Sequence, residues 1–205
     1  MRLTDYEIKE ALADAERGLS IVPPPAKIAG ITADLTLGKS FRRMCKDDGD
    51  RVNYLDTIPR YAQIRSIVVG ETVEDDIYSP TVELAENGTF CLHPGEMALG
   101  ITAERVTIPA DIVGWLDGRS SLARLGLFVH VTAGRIDPGW DGNIVLEFYN
   151  ASPRTMLLKP GIGIASISFE ELSGDVDSPY SQRTDAKYQN QTTTIGSRLS
   201  EDRSE

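Results

Sequence analysis

The chain has 205 residues, 40% of them hydrophobic and 25% charged, and a formal net charge of −10. That size and balance predict one soluble globular domain, with or without extended arms. The acidity argues against a nucleic-acid surface, which is basic. No apolar run reaches the ~20 residues of a membrane span, and no signal core opens the chain, so a cytoplasmic protein is expected. The two cysteines, Cys45 and Cys91, form at most one pair, and reduced thiols are the expectation.

Thr4-Asp5-Tyr6-Glu7 has the form of a capping box. Ile8, Ala11, Leu12 and Ala15 then recur at helical spacing up to Gly18. Pro23-Pro24-Pro25 breaks the chain into an extended segment, after which the pattern reads as β. Ile31 to Leu37 alternates, with Ile31, Ala33, Leu35 and Leu37 on one face. Asp47 to Ile77 is acidic and irregular and reads as an insertion spanning about 44–80. Val82–Leu84 and Thr89–Leu92 flank Asn87-Gly88, a hairpin signal. Further strands are predicted at Met97–Ile101, Val106–Ile108, Leu127–Thr132, Ile144–Tyr149, Thr155–Leu158 and Gly163–Phe169. Many short strands separated by Pro-Gly and Asp-Gly turns predict a mainly β domain over 1–172, a sandwich or jelly-roll-like barrel with a short N-terminal helix. From Ser173 the apolar periodicity disappears, and 173–205 reads as a mobile C-terminal arm, ordered only where something holds it.

One run concentrates chemistry: Gly114-Trp115-Leu116-Asp117-Gly118-Arg119-Ser120-Ser121-Leu122-Ala123-Arg124-Leu125-Gly126, followed by Ile136-Asp137-Pro138-Gly139-Trp140. Ser120 to Gly126 reads as a short helix opened by serine and closed by glycine, with Ser120 and Arg124 sharing a face. Arg119 sits at the mouth of the turn, where a guanidinium can fork onto phosphate oxygens. On spacing alone this is either an anion cradle or a capped surface turn with solvated arginines. Glu147 stands in Asn143-Ile144-Val145-Leu146-Glu147-Phe148-Tyr149, where Val145, Glu147 and Tyr149 share one strand face. A carboxylate among bulky apolar neighbours has a raised pKa that suits proton transfer, and the alternative is an outward-facing glutamate on a half-exposed strand. Asp137 opens a turn, and Trp140 reads as packing.

With Met1-Arg2-Leu3, Ile31–Gly38, His93-Pro94-Gly95-Glu96 and Asp185-Ala186-Lys187-Tyr188, the segment Trp115–Phe148 resembles the dCTP deaminase family of the trimeric dUTPase-like superfamily. The resemblance spans most of the chain and is weakest between Met44 and Val82. It implies a distorted jelly-roll, dUTPase-like barrel and a homotrimer with interfacial active sites. It also implies metal-independent hydrolytic deamination of dCTP to dUTP and ammonia, supplying dUTP for dTTP synthesis. The implied catalytic residues are Glu147, Ser120 and Arg124. The implied substrate contacts are Arg119, Ser120, Ser121, Leu122, Ala123, Arg124, Ala133, Asp137, Val145, Leu146, Glu147, Tyr180, Lys187 and Gln191. In that reading Asp137 accepts the deoxyribose 3′-hydroxyl, and Tyr180, Lys187 and Gln191 close over the nucleotide. His130 and Arg135 stand behind them, His130 beside the active water and Arg135 bracing the loop. Mg²⁺ arrives on the substrate triphosphate, and dTTP is the implied inhibitor.

Attack of water at C4 of cytosine needs the water deprotonated, N3 protonated and ammonia released with a proton. One glutamate between water and N3 can make all three transfers. Zinc-dependent deaminases carry His-x-Glu and Pro-Cys-x-x-Cys, and this chain has no Cys-x-x-Cys and only His93 and His130, so no catalytic zinc is expected. Two alternatives stay open. One is a bifunctional enzyme that also hydrolyses dUTP to dUMP and pyrophosphate: Arg135 fits the monofunctional members, whereas Gly134 stands where their closest examples carry histidine. The other is a non-catalytic nucleotide-sensing module on the same fold.

Overall fold

A computed structural model of the chain describes residues 1–44, 77–199 and 201. The expected insertion therefore lies largely outside the described residues, as does Cys45. The N-terminal helix α1 (Asp5–Ala13) starts at the predicted capping box, with the Thr4 side chain and the Glu7 side chain each bonded to the other's backbone N–H. It buries Ile8 and stops earlier than Gly18, at Asp14, whose carboxylate caps the short 3-10 turn Ala15–Arg17. Strands β1 (Ser20–Val22), β2 (Ile28–Ala29), β3 (Thr32–Arg43), β4 (Val82–Glu83), β5 (Phe90–Leu92) and β6 (Met97–Thr107) follow. Then come β7 (Ile112–Gly118), a single helical turn α2 (Ser120–Ala123), β8 (Leu127–Phe128), β9 (Arg135–Ile136), β10 (Asp141–Asn150), β11 (Met156–Leu158) and β12 (Gly163–Glu171).

Among the described residues, ten of these strands join in one curled sheet, seven in the order β8-β10-β6-β3-β12-β7-β9 with β1 added on β6 and β2 and β4 on β3, while β5 and β11 pair separately. The long strand β3 belongs to both halves. Ala33 to Thr36 pair with β12, and Leu37 to Arg43 pair with β6 across a register shift between Leu37 and Phe41. The sheet bends there, as a bulged strand does. Its concave side holds the core, where Phe41, Phe148 and Phe169 are fully buried. Phe41 also stacks on Phe90, with centroids 4.6 Å apart. The mainly β architecture with a short N-terminal helix is therefore the one expected.

Several local expectations need correction. Met97–Ile101 and Val106–Ile108 are one strand, β6, because the glutamate that interrupts the apolar pattern is accommodated inside the fold. The buried Glu104 carboxylate accepts the Thr36 backbone N–H at 2.8 Å and its hydroxyl at 2.6 Å. The Asn87-Gly88 turn forms, with Gly88 donating to the Ala85 carbonyl at 2.8 Å, but its flanks do not pair with each other. β4 joins β3, and β5 joins β11, because Phe90 and Leu92 are drawn into the core instead. Leu127–Thr132 is a strand only over Leu127–Phe128. Ile31 is 44% exposed and lies just before β3, off its buried face. Gly114–Gly118, which opens the motif run, belongs to a strand not predicted from the sequence, β7, paired along its length with β12.

Candidate active site

Two strands carry the motif residues. β7 runs into Arg119 and α2, and β10 carries Glu147. Arg119, not serine, is the N-cap of α2, and it makes no side-chain cap; Ser120 is the first helical residue. The turn ends as expected at Gly126, where φ is +90°. One turn has little macrodipole, so any anion here would be held by side chains and free N–H groups rather than by helix charge. Ser120, Ser121, Ala123 and Arg124 are exposed, and Leu122 packs toward the core. Arg119 lies over Gly163 of β12, its guanidinium 3.8 Å from the Asp34 carboxylate of β3.

On β10 the predicted alternation holds. Ile144, Leu146 and Phe148 are buried, whereas Val145, Glu147 and Tyr149 face the other side. Leu146 thus has only its backbone to offer a ligand on that side. Glu147 is half-buried, and burial raises its pKa above the ordinary carboxylate value, partly offset by the backbone N–H groups of Val131 and of Glu147 itself. Desolvation dominates, so the neutral and ionised forms are brought closer in energy at physiological pH. Within the chain neither Ser120 nor Arg124 contributes to this environment. His130, beside Val131, keeps Nδ1 enclosed without a partner among the described residues. Ala133 is exposed.

Gly134 donates no side chain because none fits. Its carbonyl accepts the Leu116 N–H at 2.7 Å, and a Cβ there would stand 2.9 Å from the Leu116 carbonyl oxygen and 3.3 Å from His130 Cε1. A histidine at this position would need the strand pair β7–β9 to shift. Arg135 donates through Nε to Asp137 at 2.8 Å.

The arm is held against the body. Tyr180 donates its backbone N–H to Pro138 at 2.7 Å and packs on Trp140 with centroids 5.5 Å apart, and its hydroxyl accepts the Tyr188 N–H at 3.0 Å. Trp140 is buried, which agrees with its reading as packing. Arg183 reaches back to Asp137 at 3.3 Å, so that carboxylate is shared between Arg135 and the arm. Arg105 forks onto Asp141 and also donates to Asn190 at 2.7 Å. Lys187 is half-buried. Gln191 is buried rather than presented at the surface: its amide donates to the Asn143 carbonyl at 2.9 Å, and its Oε1 has no partner among the described residues. Thr194 pairs with Ser40 in the interior. The polar composition of the arm hid these contacts, since each anchor is one residue in an otherwise solvated stretch. Asp34, Arg105 and Arg183 carry no pattern in the sequence that marks them.

The arm crosses the body at Gly139, where φ is +83° and a Cβ would lie 2.7 Å from Pro179 Cβ and 2.8 Å from the Tyr180 nitrogen. Gly139→Ala is expected to destabilise the protein by about 1–3 kcal/mol through backbone strain and displacement of the arm. Limited proteolysis checks it, with faster cleavage between residues 179 and 195 expected in the variant.

Among the described residues no group of three or more His, Cys, Asp or Glu side chains is arranged to hold a metal. No helix among them is long and apolar enough to cross a membrane.

The molecule is thus a curled β sheet with an N-terminal helix, a carboxylate on the outer face of β10 and an arm folded over the Asp137 turn. The sequence profile described as dCTP deaminase-like matches residues 2–172. A dCTP deaminase of Pseudoalteromonas translucida is 49% identical over 203 residues, covering 99% of this chain and 100% of the relative. One of Hamiltonella defensa is 50% identical over 204 residues, covering 98% and 100%. The solved 2′-deoxycytidine 5′-triphosphate deaminase of Agrobacterium tumefaciens aligns with 83% of this chain at a TM-score of 0.56 and 21% identity. This chain spans 48% of that protein, and the likeness speaks to the fold alone. The chain belongs to the dCTP deaminase-like family.

Proposed function

We propose that the protein deaminates dCTP hydrolytically, giving dUTP and ammonia, with Glu147 moving the protons. The observation that carries the assignment is the half-buried Glu147 carboxylate, raised by desolvation, on the outer face of β10 in a chain of this family. As carboxylate it takes a proton from water as the oxygen bonds to C4, and that proton goes to N3. A second proton from the attacking hydroxyl then reaches the exocyclic nitrogen through the same carboxyl group, the C4–N bond breaks, and ammonia leaves. Ser120 and the backbone at Ala133 place the water, and Arg124 supplies positive charge. Arg119, Ser121, Leu122 and Ala123 complete the cradle for the triphosphate, and the backbone of Val145 and Leu146 meets the base.

Asp137 takes the sugar 3′-hydroxyl, and Tyr180, Lys187 and Gln191 belong to the arm that closes the site. Mg²⁺ comes with the triphosphate as part of the substrate, and no step runs through it. A homotrimer completes the site. In support of this, Phe128 and Val131, beside the Glu147 face, are 51% and 53% exposed, apolar surface that a second subunit would cover. Inhibition by dTTP belongs to the same reading.

The test is product analysis. The protein with dCTP and Mg²⁺ should accumulate dUTP and ammonia in equal amounts with no pyrophosphate. Release of dUMP with pyrophosphate would assign the bifunctional reaction instead, and dCTP binding without turnover would assign a sensing module.

A further inference from the structure

The outer face of the sheet around Glu147 carries a side chain that the proposed mechanism does not use. Arg42 of β3, Leu99 of β6 and Glu147 of β10 are directly opposite one another, so they form one cross-strand row on one face. Over this row lies the segment Ile77–Ser79. It is pinned to the end of β3: Met44 and Tyr78 form an antiparallel bridge, Ser79 donates to the Arg43 carbonyl at 2.9 Å, and Arg42 Nε donates to the Ser79 carbonyl at 3.0 Å. Tyr78 is 6% exposed and belongs to a small apolar cluster with Ile77 and Leu99, against which Val145 and Met44 pack. Leu99 is the row partner of Glu147, and Val145 is its neighbour on the same strand face. The Arg42 guanidinium sits 5.4 Å from the Tyr78 ring centroid.

We propose that Tyr78 is a positioning residue for Glu147: its ring walls one flank of the carboxylate, keeps bulk water from it and limits the directions in which it can point. The proposal rests on Glu147 being the proton shuttle. The electrostatics agree with the placement. Burial raises the Tyr78 phenol first, the Glu147 charge raises it further, Arg42 lowers it and Tyr188 raises it slightly, so Tyr78 lies within electrostatic reach of both Glu147 and the arm. The titratable and charged groups that the packing brings to this face are Arg42, two strands away in the same cross-strand row, and Tyr78 from the bridging segment, while Tyr149 follows on the same face of β10. The Val131 N–H bonds the carboxylate itself, and from the arm Tyr188 is within electrostatic reach of Tyr78. Leu99 on β6 adds no charge. The ring, packed with Ile77 and Leu99 and facing the Arg42 guanidinium, is assigned the role rather than the hydroxyl.

The experiment is the pH profile of kcat for dCTP deamination by wild type, Tyr78→Ala and Tyr78→Phe, with Glu147→Gln alongside. Opening the flank lets water reach the carboxylate and lowers its pKa, so the proton-accepting form persists to lower pH. Tyr78→Ala should therefore move the acid limb down by about half to one pH unit and lower kcat by about tenfold. Tyr78→Phe keeps the ring and should keep the wild-type limb and at least about half of kcat. If Tyr78→Ala does not fold, Tyr78→Val, which suits the bridge to Met44, carries the same expectation. An unmoved limb in the ring-less variant, whatever its melting temperature, overturns the proposal. So does a Tyr78→Phe protein that behaves like Tyr78→Ala. A fully active Glu147→Gln protein would instead remove the shuttle assignment on which the proposal rests, and the two failures are read separately.

Discussion

Glu147→Gln should lose deamination by at least about ten-thousandfold in kcat, the upper range for a single acid–base group, because one carboxyl makes every proton transfer. Binding of dCTP should stay within about threefold, since glutamine keeps the shape and one acceptor for the Val131 N–H. Stability gives an independent reading. Burial raises the folded-state pKa of Glu147 above its ordinary value of 4.5. The protonated carboxyl is then the form the fold prefers. Its stabilising contribution is fully present below the unfolded-state pKa and is lost as pH rises through the raised folded-state pKa. Above that point ionised Glu147 weakens the fold, whereas glutamine does not titrate. The melting temperature of Glu147→Gln minus that of wild type should therefore grow with rising pH and level off near neutrality. A difference that is flat with pH would place Glu147 in ordinary solvent and remove the physical basis of its role.

Arg124→Ala should cost about a hundred- to a thousandfold in kcat, the loss typical of removing one preorganised charge donor to developing negative charge. Its melting temperature should stay within about one or two degrees, because the side chain is exposed and Leu122, not Arg124, packs toward the core. Arg124 is not among the groups that set the Glu147 pKa within one chain, and under the proposed homotrimer a neighbouring subunit brings the two together. Unfolding equal amounts of the Arg124→Ala and Glu147→Gln proteins together and refolding the mixture should restore up to about a quarter of wild-type activity, since random assembly pairs one intact residue from each. No restoration would assign both residues to the same subunit.

The parts of the fold that the sequence made legible are those governed by local rules. The capping box at Thr4 and Glu7, the alternation of β10 and the glycine that closes α2 are each set within a few residues. What stayed hidden depended on distant partners. Glu104 breaks the apolar pattern of β6 only until Thr36, far away in sequence, satisfies it. The Asn87-Gly88 turn promised a hairpin, but the strands beside it pair elsewhere, β4 with β3 and β5 with β11. At the site, Glu147 could be placed on the correct strand face from period alone, while its raised pKa depends on what covers that face. Tyr78 was invisible in sequence because it follows an irregular acidic stretch and owes its place to a bridge with Met44. The bond from the Gln191 amide to the Asn143 carbonyl was equally hidden, because only the path of the arm creates it.

The most direct test of the central claim, attack of water on the cytosine ring, is turnover of dCTP in heavy-oxygen water with mass analysis of the base and the phosphates separately. The account predicts one labelled oxygen per dUTP, located on the uracil ring, with unlabelled phosphates and no label incorporated by Glu147→Gln. Label in the phosphates with an unlabelled base would mean that water attacks the triphosphate, and the assignment of Glu147 to the ring chemistry would be wrong.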